Sequence, residues 1–139
     1  MVDVVEGIMT LWSKLPAGDA EAADALAQFY ADEVEVNGSV LRIGDLLARA
    51  RSLQRALSDI RHVLLERVDA GDKLVIAFVL HGRHTGPLST PLGEVAATGR
   101  EVSIQGMDVL TFTDGRISRI TVLADELGML ARLDAVMLR

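Results

Sequence analysis

The sequence contains no cysteine, which excludes disulfide bonds, thiolate metal ligands and a cysteine nucleophile. It has no apolar run close to the roughly 20 residues of a membrane-spanning helix, and its acidic first residues do not resemble a signal peptide. Acidic residues outnumber basic ones by 20 to 14, so the chain lacks the basic surface with which proteins bind nucleic acid. These absences predict a soluble, cytoplasmic protein that binds neither nucleic acid nor membranes.

Aromatic residues are also scarce, with one Trp, one Tyr and three Phe, although half of the chain is hydrophobic. A length of 139 residues suits a single domain, 1–139. Apolar residues recur at helical spacing in the first half and alternate as in strands in the second. Helices segregated from a run of antiparallel strands predict the α+β class. We expect N-terminal helices packed on a curved sheet that walls an apolar pocket for a small organic molecule.

The pattern gives approximate bounds for several elements. Helical periodicity predicts a second helix over 20–31, with Tyr30 on its apolar side, and a closing helix over 125–138. Residues 73–84 are apolar on both sides and predict a central strand that is covered on both faces. The segment 85–99 is rich in Gly, Pro, Thr and Ser and predicts a long loop, a length typical of lids and binding loops.

Among the polar residues, Asp108 is the one whose predicted position on a strand most strongly indicates a special role. It falls in register with the apolar face of a predicted strand over 101–112, where a carboxylate must find hydrogen bonds or become neutral. It is either an acid/base group in a pocket or a structural Asp bonded to a helix end or an Arg. His81 and His84 lie three apart on a strand, so their rings point to opposite faces and no metal site is expected.

Asp125 stands where the last strand meets the last helix. Asp is a preferred N-cap, and periodicity favours that role over a carboxylate at the rim of a pocket. The remaining candidate contacts for a substrate are polar or aromatic side chains: His84, Gln105, Asn37, Trp12 and Tyr30. From the sequence alone, the two aromatic residues are more readily interpreted as core residues.

Five short motifs resemble one family when they are taken in order. They are GRHTG at 82–86, TGREV at 98–102, GMDV at 106–109, FTDGRI at 112–117 and DELGML at 125–130. Their order and spacing over 82–133 are similar to the SnoaL-like polyketide cyclase family, which belongs to the nuclear transport factor 2-like superfamily. The helical first half fits the same pattern more loosely.

The resemblance implies a cone-shaped α+β barrel, open at one end to an apolar pocket and usually found as a homodimer. It also implies ring closure by intramolecular aldol condensation in antibiotic biosynthesis, without metal or organic cofactor. The family's acid/base is an Asp at the strand-to-helix junction, a position that Asp125 occupies here. Asp108 and His84 match other positions that recur in the family.

The sequence departs from the family at two points. The strand before Asp125 has no aromatic residue, and Asn37 stands where relatives often have His. We therefore expect a more aliphatic pocket. The leading hypothesis is a cofactor-independent cyclase or isomerase, a lyase-type reaction with Asp125 as base and Asp108 assisting. A cycloaddition would need only preorganisation.

Two alternatives remain open at this point. One is an epoxide hydrolase-like enzyme in which Asp108 and Asp125 flank an Arg, with Arg83 or Arg119 as the candidates. The other is a non-catalytic dimeric module that binds a small molecule.

Overall fold

The computed structural model describes residues 3–139, which form four helices and eight strands. The helices are α1 (Val4–Ser13), α2 (Asp19–Ala27), α3 (Ile43–Ala56) and α4 (Glu126–Arg132). Asp3 caps α1 by accepting a hydrogen bond from the Glu6 amide. At the start of α3, the Asp45 carboxylate accepts from the Arg42 amide at 2.9 Å. Among the described residues, no helix is long and apolar enough to cross a membrane.

The strands form one large curved sheet and one small hairpin. They are β1 (Tyr30–Val36), β2 (Ser39–Arg42), β3 (Leu57–Ala70), β4 (Lys73–His84), β5 (Leu88–Thr90), β6 (Gly93–Val95), β7 (Glu101–Thr113) and β8 (Arg116–Ala124). The large sheet has the order β2-β1-β8-β7-β4-β3, and β5 pairs only with β6. Neighbouring strands are antiparallel, except that β1 and β8 are parallel. This architecture confirms the α+β class and the packing of helices on a curved sheet.

The two faces of the large sheet differ in what covers them. The inner face packs against α1, α2 and α3 and carries the buried residues Leu74, Ile76 and Leu110. A second buried cluster, which includes Leu80 and Val102, lies at the other end of this face beneath α4 and the β5–β6 hairpin. The outer face carries the alternate residues of each strand and has no helix packed on it within residues 3–139.

Three predicted elements differ from the structure. The second helix ends at Ala27 and not at 31, since Tyr30 pairs with Ile117 and opens β1. The closing helix ends at Arg132 and not at 138, because Asp134 adopts a left-handed conformation, φ 55°, that ends the helical path. The predicted loop 85–99 contains the β5–β6 hairpin.

The strand predicted over 73–84 has the predicted bounds as β4, but it is covered on one face only. It lies between β3 and β7, and its inner residues are buried. Its outer-facing Val75, Ala77 and Val79 stay half-buried and belong to neither core cluster. The apolar residues on both sides of β4 thus indicate an outer face that no other element of residues 3–139 covers.

Candidate functional site

A cavity of about 230 Å³ lies between the inner face of the sheet and helices α1 and α3. Aliphatic side chains from five strands and both helices form most of its wall, and β3 contributes His62. The residues that line it are Ile8, Met9, Trp12, Tyr30, Val36, Leu41, Leu46, Arg49, Leu53, His62, Ile76, Phe78, Leu80, Asp108, Leu110, Ile120 and Val122.

Among the described residues, Asp108 supplies the only carboxyl group of this wall, and it lies on β7 between Ile76 of β4 and Val122 of β8. Its Oδ1 is fully buried without a hydrogen-bond partner among the described residues. Burial raises the pKa of Asp108 from 3.8 to about 6, because the apolar surroundings disfavour the charged form. The prediction from strand alternation, that Asp108 lies on the apolar face of its strand, is correct. The structural alternative, a bond to a helix end or an Arg, is not formed with any residue that the structure describes.

Trp12 and Tyr30 meet at the same cavity and bind each other. The Trp12 Nε1–H donates to the Tyr30 hydroxyl oxygen at 2.8 Å. Burial raises the pKa of Tyr30, and the negative charge of Asp108 raises it further, so the hydroxyl remains protonated. Within residues 3–139 its own O–H has no acceptor, so Tyr30 offers a hydrogen-bond donor to the cavity.

Asp125 and Gln105 lie on the other side of the sheet. Both line a shallow groove on the outer face, together with Met107 and Leu123. The Asp125 carboxylate is the N-cap of α4 and accepts from the Gly128 amide at 2.9 Å. The structure therefore does not bring Asp125 and Asp108 together. Phe78 is the one residue that lines both the groove and the cavity.

The last two predicted contacts, His84 and Asn37, lie away from the cavity. The His84 ring is fully buried in the second core cluster, where Nδ1 accepts from the Thr98 amide at 3.3 Å. Asn37 follows β1 and bonds twice to the backbone of Val122, through Nδ2 at 3.1 Å and Oδ1 at 2.9 Å. These two bonds extend the pairing of β1 with β8.

Two polar residues of the cavity wall, His62 and Arg49, were not among the predicted site residues. His62 lies on β3, and its place in the cavity wall depends on how α1 covers that strand, which sequence spacing does not show. Arg49 is an exposed residue of α3 that also lines the cavity. It forms no ion pair with the described residues.

Neither the carboxyl–Arg–carboxyl set of the epoxide alternative nor a cluster of metal ligands is found among the described residues. Arg83 pairs with Glu101 at 2.8 Å and Arg119 pairs with Glu35 at 3.0 Å, and neither lines the cavity. The carboxyl–Arg–carboxyl set of the epoxide alternative is thus not assembled by these residues. Among residues 3–139, no group of three or more His, Asp or Glu side chains gathers in a way that could hold a metal ion.

Comparison with known proteins agrees with this architecture. The model of the SnoaL-like polyketide cyclase family matches residues 4–133, so the chain belongs to that family. A search of curated protein sequences gives no match. The resemblance that the five motifs suggested is thereby confirmed.

Three solved structures show the same fold. TsrD from Streptomyces laurentii is 26% identical with a TM-score of 0.80, and the match covers 98% of this chain and all of TsrD. IdmH from Streptomyces antibioticus, described as a candidate polyketide cyclase, is 21% identical with a TM-score of 0.73 over 95% of this chain and 96% of its own. AclR from Streptomyces galilaeus, described as a candidate hydroxylase, is 15% identical with a TM-score of 0.73, over 96% and 95%.

Proposed function

We propose that this protein is a cofactor-independent cyclase or isomerase that acts on a small apolar molecule in the inner cavity. The observation that carries the proposal is Asp108, a carboxyl group that forms no hydrogen bond with residues 3–139 and lies in a wall that is otherwise almost entirely apolar. A carboxyl with a pKa near neutrality can both accept and return a proton. Membership of a polyketide cyclase family supports a ring closure.

The dimensions of the cavity restrict the substrate. Its volume of about 230 Å³ is smaller than the roughly 300–1,000 Å³ of pockets for drug-sized ligands. The walls are mainly aliphatic, and Trp12, Tyr30 and Phe78 are the large aromatic side chains among them. We therefore propose a small, saturated or partly saturated polyketide-type intermediate in place of a fused aromatic system.

The chemistry that fits this site is an aldol-type ring closure. The Asp108 carboxylate removes a proton from the carbon next to a carbonyl, and the Tyr30 hydroxyl donates a hydrogen bond to the resulting enolate oxygen. The enolate carbon then forms a bond to a second carbonyl carbon of the same molecule, and the protonated Asp108 returns its proton to the new alkoxide. Because Trp12 donates to the Tyr30 oxygen, it holds that hydroxyl in place and strengthens it as a donor.

The first step can be tested without knowledge of the natural substrate. We expect the protein to catalyse exchange of the α-protons of an apolar bicyclic ketone, trans-2-decalone, in deuterated buffer, followed by proton NMR. The Asp108→Asn variant should bind the ketone but exchange it at the buffer rate. Exchange at the wild-type rate in this variant would exclude Asp108 as the acid/base.

A non-catalytic ligand carrier is the second candidate function, and the largely aliphatic wall favours it. A carrier should bind the ketone in the same cavity and leave its α-protons unexchanged in the wild-type protein. Titration calorimetry together with the exchange rate therefore separates the two functions. Binding with exchange supports the enzyme, whereas binding without exchange supports the carrier.

We further propose that the outer face pairs two copies of the chain in the cytoplasm. Val63, Leu65, Met107 and Leu123 lie exposed on this face, with Leu123 77% exposed. Apolar surface of this kind is typical of protein interfaces. Light scattering after size exclusion should show a dimer.

A charge on this face tests the pairing. We expect Leu123→Lys to give a monomer, because burying an unpaired charge opposes association. Met137→Lys, at an equally exposed apolar residue beyond α4, is the matched control and should leave the dimer intact. A wild-type monomer would contradict this part of the proposal and leave the assignment of the cavity unaffected.

A further inference from the structure

His62 lies in the wall of the cavity, on β3 opposite Leu80 of β4. Its ring centroid is 5.8 Å from that of Phe78, and the two rings are tilted by 52°. No step of the proposed ring closure uses this imidazole. It is nevertheless one of the few side chains through which the wall offers a polar atom.

A short chain of hydrogen bonds fixes which ring nitrogen of His62 carries the proton. The Ser13 hydroxyl donates to the Met9 carbonyl at 2.8 Å and lies 2.8 Å from His62 Nδ1. A hydroxyl has one hydrogen, and a carbonyl oxygen cannot donate. Ser13 must therefore accept from Nδ1–H, which leaves a lone pair on Nε2.

The surroundings keep the ring neutral with its Nε2 available. Burial lowers the pKa of His62 to about 4, so the imidazole carries no charge at neutral pH. The charged groups in the cavity wall are Arg49 and Asp108. His62 Nε2 forms no hydrogen bond with residues 3–139. It is also not fully buried, because the fully buried side-chain polar atoms without a partner in these residues are His84 Nε2 and Asp108 Oδ1.

We propose that His62 determines the substrate class of this cavity, because its Nε2 accepts a hydrogen bond from a hydroxyl group of the ligand. An acceptor held in one tautomer selects an alcohol, phenol or enol over the corresponding ether, which has no hydrogen to donate. Asp108 and Tyr30 act on a carbonyl, whereas His62 recognises a hydroxyl, so the preferred molecule contains both groups. The inference rests on the proposed function, since it assumes that the ligand binds in the inner cavity.

The preference can be measured with a matched pair of probes, 1-decalol and its methyl ether, by titration calorimetry. We expect the wild-type protein to bind the alcohol about 10-fold more tightly, as one hydrogen bond of about 1.4 kcal/mol would give. His62→Phe should abolish the preference and leave the affinity for the ether within about twofold. Ser13→Ala should reduce the preference, because the ring can then adopt either tautomer.

Thr10→Ala is the matched control. The Thr10 hydroxyl also donates to a carbonyl of α1, that of Glu6 at 2.8 Å, whereas the hydroxyl bonded to His62 is that of Ser13. This variant should keep the preference for the alcohol. It thereby separates the loss of a helix hydroxyl in general from the loss of the contact that holds the imidazole.

Nitrogen-15 NMR of the His62 ring gives a second measurement that needs no ligand. We expect the Nδ1–H tautomer in the wild type and a mixture in Ser13→Ala. An Nε2–H ring in the wild type would overturn the inference, as would equal binding of alcohol and ether, and both results leave the cavity proposal standing. If neither probe binds, the cavity proposal and this inference are contradicted together.

Discussion

The two faces of the large sheet each place a carboxyl group beside an apolar space, and the two groups differ in what they bind. Asp108 on the inner face has no hydrogen-bond partner in the described part of the chain, and burial raises its pKa. Asp125 on the outer face accepts a hydrogen bond from the Gly128 amide and is the N-cap of α4. Asp125, whose motif position resembles that of the family's acid/base, is therefore the carboxyl group that has a hydrogen-bond partner. Burial of the carboxyl group, more than residue type, decides that Asp108 is the one suited to proton transfer.

The largest expected effect separates these two carboxyls by activity. Asp108→Asn should lower the rate of ketone α-proton exchange by about 10²–10⁴-fold, the usual contribution of a general base. Asp125→Asn should change it less than about threefold, since Asn is also a good N-cap and the residue does not line the cavity. A large loss in Asp125→Asn alone would favour the family's junction Asp as the base. It would also indicate that the outer groove, which Phe78 separates from the cavity, is the reaction site.

The next effect concerns stability and pH. Asp108 holds its proton more tightly in the folded chain, where its pKa is about 6, than in the unfolded chain, where it is 3.8. Stability from this group is therefore present below about pH 4 and is lost as the pH rises through about 6. The loss amounts to about 3 kcal/mol by neutral pH.

Asp108→Asn removes this titration and should make the protein more stable than the wild type at about pH 7.5 but not at about pH 4. Urea unfolding at the two pH values measures the difference. A variant that is less stable than the wild type at the higher pH would show that the Asp108 carboxylate has a partner in solution.

The smallest effect concerns the cap of α4. Asp125→Ala should lower the free energy of unfolding by about 1 kcal/mol, because it leaves the Gly128 amide without its acceptor. Asp125→Asn should lower it by a few tenths at most. Equal losses in the two variants, measured by urea unfolding, would show that the carboxylate charge matters more than the hydrogen bond.

Much of the architecture follows from local pattern. The bounds of β4 and the inward position of Asp108 come from strand alternation, because a half-buried strand repeats every two residues. The α4 cap also follows from a local preference for Asp. Tyr30 was misplaced since its conformation is set by pairing with Ile117, a contact 87 positions along the chain that helical periodicity does not contain.

The site itself was only partly predictable for the same reason. Trp12, Tyr30 and Asp108 were candidates and do line the cavity, whereas His84, Gln105 and Asn37 do not. His62 was missed because its place in the cavity wall depends on how α1 covers β3, where Ser13, 49 positions away in sequence, contacts the ring. Alternation assigns a residue to a face of the sheet. Which helix covers that face, and where the covering leaves a space, depends on long-range packing.

The parallel pairing of β1 with β8 has a consequence for synthesis of the chain. Asn37 and Val122, which extend this pairing, are 85 positions apart, whereas β3 with β4 and β7 with β8 form from adjacent segments. Closing a loop of that length is slow compared with forming a hairpin, because more chain entropy is lost before any contact forms. On the ribosome, β1 must wait until β8 has emerged before the two strands can pair. The cavity wall to which Tyr30 and Val36 belong is therefore completed only after β8 has been synthesised, and a nascent chain should acquire its ligand only after that point.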